Sequence, residues 1–66
     1  MPRVRIEWLN TRTEDQRAEV AQRVTEAIVE VTGVTPDQVT VVFDEIEPRL
    51  MAKGGVFWTE RLKSPG

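Results

Sequence analysis

The first chemistry that the sequence offers lies at its start, where Met1 is followed by Pro2. Aminopeptidases commonly remove an initiator methionine when the next residue is small, and proline usually qualifies. The mature chain would then begin with a secondary amine, and an α-amino group has a pKa of ~7.7–8 that modest burial or a nearby cation lowers. A rigid ring at the start of a strand would hold this nitrogen still, as a general base requires. Many chains begin with Met-Pro without using the proline in catalysis, so the rest of the sequence must decide whether Pro2 is a catalytic residue.

The residues after Pro2 predict a strand over Arg3–Leu9. Polar and apolar residues alternate along it, and Val4, Ile6 and Trp8 share one face. This period of two is typical of a strand that packs on one side. The strand begins at a residue without an N–H, a position where proline disrupts a sheet little.

A helix over about 14–32 follows from the next residues. Thr13 precedes Gln16 by three residues, which is the pattern of a capping box, and Gly33 is placed to end the helix. The opposite face is polar and begins with Arg17. The apolar stripe expected to face the sheet comprises Val20, Ala21, Val24, Ala27, Ile28 and Val31.

The second half of the chain predicts another strand and a small hairpin. After the turn at 35–37, the segment Val39 to Ile46 carries apolar residues on both faces, so both faces should be covered. Strand, helix and strand with short connections form a right-handed β-α-β unit with parallel strands. Segment 47–51 reads as irregular, Gly54-Gly55 precedes a short strand or hairpin arm at 56–58, and 59–63 reads as a last helical turn.

Composition restricts the class of protein. Its 66 residues predict one domain, 1–66, in which 64–66 form a loose tail. The absence of cysteine and histidine excludes disulfides, Cys/His zinc sites and a histidine base. The nine Lys and Arg are dispersed and no long apolar run or signal peptide is present, so we expect a cytoplasmic protein that binds neither nucleic acid nor membrane. A chain this small buries little surface alone, so self-association is expected.

Taken in order, these motifs resemble the tautomerase superfamily, specifically the short 4-oxalocrotonate tautomerase group. The resemblance covers nearly the whole chain without a large gap. The segments that carry it are 1–6 (MPRVRI), 12–17 (RTEDQR), 24–28 (VTEAI), 32–33 (TG), 39–45 (VTVVFDE) and 54–55 (GG).

The resemblance implies an α/β fold of the two-layer α+β kind, in which two β-α-β units pair into a four-stranded sheet and dimers commonly form a hexamer. It implies an isomerase that needs no cofactor and no metal. Pro2 would transfer a proton between two positions of an enol, a 2-oxo acid or a related unsaturated carboxylic acid. Arg12 matches the arginine that holds the substrate carboxylate, and its planar guanidinium suits that role. Without the resemblance, Arg12 would read as a turn residue paired with Glu14 or Asp15.

Three positions depart from the group's pattern. Thr40 stands where well-studied members carry a second arginine, supplied by a neighbouring subunit, and its hydroxyl can donate only one hydrogen bond. Met51 replaces an aromatic residue of the pocket wall and can still provide apolar surface. Asn10-Thr11 replaces the more usual glycine before the arginine. These departures argue against a dicarboxylate substrate, although Arg49 or Arg61 of another subunit could supply the positive charge that Thr40 lacks.

Other residues have a structural and a functional interpretation. Leu9 and Trp8 could line the pocket, with Trp8 expected to pack under the helix. Asp44 and Glu45 could act as general acids, but solvated charges at a strand end are far commoner and are what we expect here. Trp58 suits a subunit interface.

Two rival functions remain at this point. The same proline could act, protonated, as the acid of a hydratase or dehalogenase, which needs a water-activating group beside it. Alternatively, the chain is a non-catalytic subunit of a hetero-oligomer, in which a different chain supplies the second arginine.

Overall fold

A β-α-β unit followed by a small hairpin forms the computed structural model of the chain, which describes residues 1–63. The unit consists of β1 (Arg3–Leu9), α1 (Glu14–Thr32) and β2 (Thr40–Ile46). The hairpin consists of β3 (Ala52–Lys53) and β4 (Val56–Phe57), and α2 (Trp58–Lys63) follows it. Short 3-10 turns occupy Pro36–Gln38 and Pro48–Leu50. The tail expected at 64–66 lies outside the described residues.

Strands β1 and β2 are parallel, and α1 connects them. Their register runs from Arg3 opposite Thr40 to Leu9 opposite Ile46. The predicted fold class is therefore confirmed: a small α+β fold built on a β-α-β unit. Strand β2 begins one residue later than predicted, because the Val39 N–H closes the preceding 3-10 turn by donating to the Pro36 carbonyl at 3.1 Å.

Both predicted ends of α1 are confirmed. The Gln16 N–H donates to Thr13 Oγ1 at 3.1 Å, and the Thr13 N–H donates to Gln16 Oε1 at 3.0 Å. At the other end, Gly33 takes the left-handed φ of 81° and its N–H donates to the Val29 carbonyl at 2.9 Å. A glycine adopts that conformation without the steric cost that a Cβ imposes.

Replacing Thr13 with alanine is expected to lower the free energy of unfolding by about 1 kcal/mol, because the helix loses its capping hydrogen bond. The measurement is the urea midpoint at one fixed protein concentration. Thr11→Ala, in the exposed turn before the helix, is the matched control. Equal midpoints for the two variants would show that the cap does not stabilise the fold.

The half-buried face of α1 differs from the predicted stripe. Ala27 is exposed and Val31 is 83% exposed, whereas Arg17 is half-buried. The 19 residues of α1 span about 28 Å, and the seven residues of each strand span about 23 Å. The last helical turn therefore extends beyond the sheet and leaves Val31 uncovered. The half-buried side chains are those of Arg17, Val20, Ala21, Val24, Thr25, Ile28 and Val29.

The described part of the chain has no closed core of its own. Among residues 1–62, no side chain is fully buried, and Leu50, Phe57 and Leu62 are about half exposed. The chain exposes 5206 Å², whereas a compact protein of this mass exposes about 4,200 Å². Its radius of gyration of 15.3 Å likewise exceeds the value of about 11 Å for a compact domain of this length. Exposed apolar surface on this scale favours association with other chains.

No helix of the described part is both long and apolar enough to cross a membrane.

Candidate active site

Pro2 and Thr40 lie together at the amino-terminal end of the sheet. The Thr40 N–H donates to the Pro2 carbonyl at 3.0 Å, and Arg3 is the register partner of Thr40. Pro2 is half-buried, and Arg3 and Thr40 are exposed. Because register partners project on the same face, the Arg3 and Thr40 side chains share the sheet face opposite α1.

Leu9 and Arg12 lie at the other end of β1. Leu9 is half-buried opposite Ile46, and the Asn10 N–H donates to the Ile46 carbonyl at 3.0 Å, where the ladder ends. The guanidinium carbon of Arg12 lies 5.5 Å from the centre of the Trp8 ring. Arg12 therefore contacts an indole rather than the neighbouring carboxylates that a turn arginine would pair with.

The length of β1 separates Pro2 from the Arg12 guanidinium. Trp8, over which that guanidinium lies, is six residues from Pro2 along an extended strand, a distance of about 20 Å. No arginine side chain spans that distance. One copy of the chain therefore cannot bring the two predicted site residues to one small substrate.

Met51 belongs to neither end of β1. It follows the 3-10 turn Pro48–Leu50, is half-buried, and its carbonyl accepts the Trp58 N–H at 2.9 Å. This contact ties Met51 to the hairpin, whose tight turn is formed by Gly54 and Gly55 with φ of 62° and 80°. The chain enters this segment from the sheet end where Leu9 and Ile46 lie.

An open cavity of about 340 Å³ lies between the end of β1 and the first turns of α1. This volume lies in the range of small-molecule sites. Arg23, one of its two cations, is ion-paired with Glu19, so Arg12 is the cation in the cavity that remains available to an anion. The lining residues are Trp8, Arg12, Gln16, Glu19, Val20 and Arg23.

The contacts of the seven arginines single out two of them. Within residues 1–63, the guanidinium groups of Arg3 and Arg12 form no ion pair and donate no hydrogen bond. The other five are each engaged by an oxygen of this chain: Arg5, Arg17, Arg23, Arg49 and Arg61. The two unengaged arginines lie at opposite ends of β1.

Arg3 is a residue that the sequence interpretation missed. The strand register would have indicated it, because it places Arg3, which follows Pro2, opposite Thr40. The two arginines considered as substitutes are occupied in their own chain. Arg49 Nη2 lies 2.7 Å from Glu47 Oε2, and Arg61 donates to the Lys53 carbonyl at 2.9 Å and lies 5.5 Å from the Trp58 ring centre.

The expectation that Glu45 is a freely solvated charge is wrong. Glu45 Oε2 accepts a hydrogen bond from Trp8 Nε1 at 3.0 Å, and both carboxylate oxygens accept from Arg17 Nη1 at 3.1 Å. Trp8 also stacks on Phe43, with ring centres 5.2 Å apart. The parallel register places Trp8 opposite Glu45, which explains why two residues far apart in sequence meet.

Asp44 lies on the other face of the sheet, where its carboxylate pairs with Arg5 at 3.3 Å. In the described part of the chain, acidic side chains do not gather in a group of three or more that could hold a metal ion.

Comparison with known proteins identifies a family for nearly the whole chain. Residues 2–61 match the family model described as "Tautomerase enzyme". A probable tautomerase of Bacillus cereus is 36% identical over 55 residues, which cover 83% of this chain and 90% of that protein. The 2-hydroxymuconate tautomerase of Bacillus subtilis is 33% identical over 55 residues, which cover 83% of this chain and 89% of that protein.

Solved structures agree with these sequence matches. TomN, a 4-oxalocrotonate tautomerase homologue in the tomaymycin biosynthetic pathway, is 29% identical with a TM-score of 0.88, over 98% of this chain and all of TomN. A heterohexamer 4-oxalocrotonate tautomerase from Chloroflexus aurantiacus is 28% identical with a TM-score of 0.82, over 91% of this chain and 97% of that chain.

Proposed function

This chain belongs to the tautomerase family, and from that premise we propose that it is a cofactor-independent isomerase of a 2-oxo acid. Its substrate class is an enol, or a related unsaturated carboxylic acid, that converts to the keto form. Pro2 is the proton-transferring group after removal of Met1, and Arg12 binds the carboxylate. The observation that carries the proposal is that, of the two cations in the cavity, Arg12 is the one whose guanidinium forms no ion pair and donates no hydrogen bond within the described residues.

The chemistry requires only one movable proton. The neutral Pro2 nitrogen accepts a proton from the substrate, becomes a charged ammonium, and returns the proton to another atom of the same substrate. Atoms and charge balance without an oxidant, a reductant or a second substrate. The Arg12 guanidinium stays charged throughout and holds the carboxylate by two parallel hydrogen bonds.

We propose that the working site is formed between copies of the chain. The separation of about 20 Å along β1 supports this, because Pro2 of one copy must then meet Arg12 of another. The free edges of the two-stranded sheet also support it, since β1 and β2 pair only with each other among residues 1–63. Pairing of two such sheets would produce a four-stranded sheet in a dimer, and further dimers would complete a hexamer.

Arg3 acquires a role in this proposal. It directly follows Pro2, is exposed, and has no partner within residues 1–63. A cation close to an amine disfavours the amine's charged form and so lowers its pKa. We propose that Arg3 keeps the Pro2 nitrogen neutral more often at neutral pH.

Replacing Arg3 with alanine is expected to shift the acidic limb of the pH–kcat/KM profile to higher pH by up to about one unit. The sign follows because removal of the cation raises the pKa of the amine, so a higher pH is needed to deprotonate it. Arg5→Ala is the matched control, since Arg5 lies on the same face but pairs with Asp44. An unshifted acidic limb in the Arg3 variant would contradict this role.

The proposed function is tested on the purified chain by intact mass and by activity. We expect a mass that lacks Met1 and a ketonisation rate above buffer for phenylenolpyruvate or 2-hydroxymuconate, followed by ultraviolet absorbance. The name of the Bacillus subtilis relative supports the second substrate. An active enzyme that retains Met1 would eliminate the proline mechanism, and a rate equal to buffer for both substrates would oppose the activity.

A hetero-oligomeric subunit is the second candidate function. The similar Chloroflexus aurantiacus protein is a heterohexamer, and Thr40 lacks the charge that a partner chain would supply. An inactive purified chain that gains activity only with a sister chain would favour this candidate. The hydratase alternative has less support, because it needs a water-activating group beside Pro2, and the strand register places the Glu45 carboxylate at the opposite end of β1 from Pro2 of the same chain.

A further inference from the structure

The Glu45 carboxylate connects to Arg12 by two routes. Its Oε2 accepts from Trp8 Nε1, and the Arg12 guanidinium lies over that same indole ring. Its two oxygens also accept from Arg17 Nη1, which in turn donates to the Arg12 carbonyl at 3.1 Å. We call Trp8, Arg17 and Glu45 the Arg12 bracket.

The bracket holds Arg12 without occupying its donors. One route fixes the backbone of Arg12 and the other holds its guanidinium against an aromatic face. A guanidinium that lies over the face of an indole is attracted by the ring and keeps the N–H groups at its edge free. Those N–H groups are the ones that a carboxylate needs for a bidentate contact.

The bracket is better shielded from water than the other ion pairs described above. The Arg17 and Glu45 side chains are 29% and 26% exposed, whereas those of Arg5–Asp44, Arg23–Glu19 and Arg49–Glu47 are all at least 39% exposed. Lower exposure strengthens an electrostatic contact and reduces its screening by salt. The Trp8 ring is fixed further by its stacking on Phe43.

We infer that Glu45 is a positioning residue for carboxylate binding, and that it acts on Arg12 through Trp8 and Arg17. The inference rests on the proposed function in one respect, namely that Arg12 binds the substrate carboxylate. Glu45 fixes the plane of the indole by accepting its N–H and holds Arg17 where it can donate to the Arg12 backbone. Loss of the Glu45 charge weakens both its hydrogen bond with Trp8 and its ion pair with Arg17.

The first test is a double-mutant cycle between Glu45→Gln and Arg12→Ala. We expect Glu45→Gln alone to raise KM about 3- to 10-fold with kcat changed less than about twofold. In the Arg12→Ala background, the same substitution is expected to add no further loss, because the group that it positions is absent. A merely structural role would instead produce equal losses in both backgrounds, and that result would overturn the inference.

Two further variants test whether the rise in KM comes from the loss of any carboxylate or from the contact between Glu45 and the indole. Glu47→Gln removes a carboxylate from the exposed pair with Arg49 and should leave KM unchanged. Trp8→Phe keeps an aromatic ring but removes the N–H that Glu45 accepts, so it should reproduce the rise in KM even if Glu45→Gln fails to fold. A KM for Trp8→Phe equal to that of the unmodified enzyme would contradict the indole route.

A spectroscopic readout separates this inference from the proposed function. The side-chain Nε–Hε resonance of Arg12, assigned by its loss in Arg12→Lys, should show a ring-current shift from Trp8 that decreases in Glu45→Gln. If the unmodified chain has no tautomerase activity but shows this shift, and the shift decreases in Glu45→Gln, the result would support the bracket and oppose the proposed function. An unchanged resonance in active Glu45→Gln would overturn the bracket while the function remained supported.

Discussion

Pro2→Ala is expected to lower kcat/KM by about 10²–10⁴, the range that a positioned general acid–base group contributes. The variant still begins with an amine once Met1 is removed, but the amine is primary and its carbon chain is no longer locked in a ring. Loss of rigidity misplaces the nitrogen relative to the substrate, and proton transfer depends steeply on that geometry. Initial rates with phenylenolpyruvate, together with the intact mass of each preparation, provide the measurement.

Pro36→Ala is the matched control for this loss. Pro36 is also a proline at the start of a short element, but it is exposed in the 3-10 turn before β2. The control should keep nearly full activity. If Pro2→Ala lacked Met1 and was still as active as the control, another group would have to transfer the proton, and the proposed mechanism would be wrong.

Arg12→Ala is expected to lower kcat/KM by about 10- to 100-fold, mainly through KM. A hydrogen bond to a charged group contributes about 1.5–3 kcal/mol, and the carboxylate keeps its charge during the reaction, so Arg12 binds ground state and transition state alike. Steady-state kinetics on a monocarboxylate substrate measures the effect. Arg23→Ala, in the same cavity but paired with Glu19, should change KM little. A kcat/KM within twofold of the unmodified enzyme would remove Arg12 from the site.

Mixing the two impaired variants, and assaying them at a substrate concentration well below KM, tests whether the site lies between copies. If Pro2 and Arg12 come from different chains, random co-assembly of Pro2→Ala with Arg12→Ala restores both residues in about a quarter of the sites. The mixture, unfolded and refolded together, should therefore regain a substantial fraction of the activity. Activity no higher than the average of the separate variants would place both residues on one chain, against the length of β1.

The local elements of this fold were predictable because short-range physics sets them. The alternation from Arg3 to Leu9 predicted β1 with its observed bounds, and the Thr13–Gln16 capping box and Gly33 predicted both ends of α1. Each of these signals involves residues within a few positions of one another. Pro2, Leu9, Arg12, Thr40 and Met51 were proposed from motif order alone, and their roles stay predictions.

Tertiary structure decided what no short-range pattern contains. The strand register brought Glu45 beside Trp8 and placed Arg3 opposite Thr40. The position of α1 on the sheet made Arg17, expected to face solvent, an ion-pair partner of Glu45. The overhang of α1 beyond the sheet exposed Val31. Such contacts depend on how two distant segments align, which requires the relative position of whole elements.

Sequence alone thus determined the elements, the family resemblance and the types of side chain available for proton transfer and carboxylate binding. The three-dimensional arrangement decided which of those side chains can meet. The physical reason is the extended backbone of β1, whose fixed rise per residue keeps Pro2 about 20 Å from Trp8, the residue over which the Arg12 guanidinium of the same chain lies.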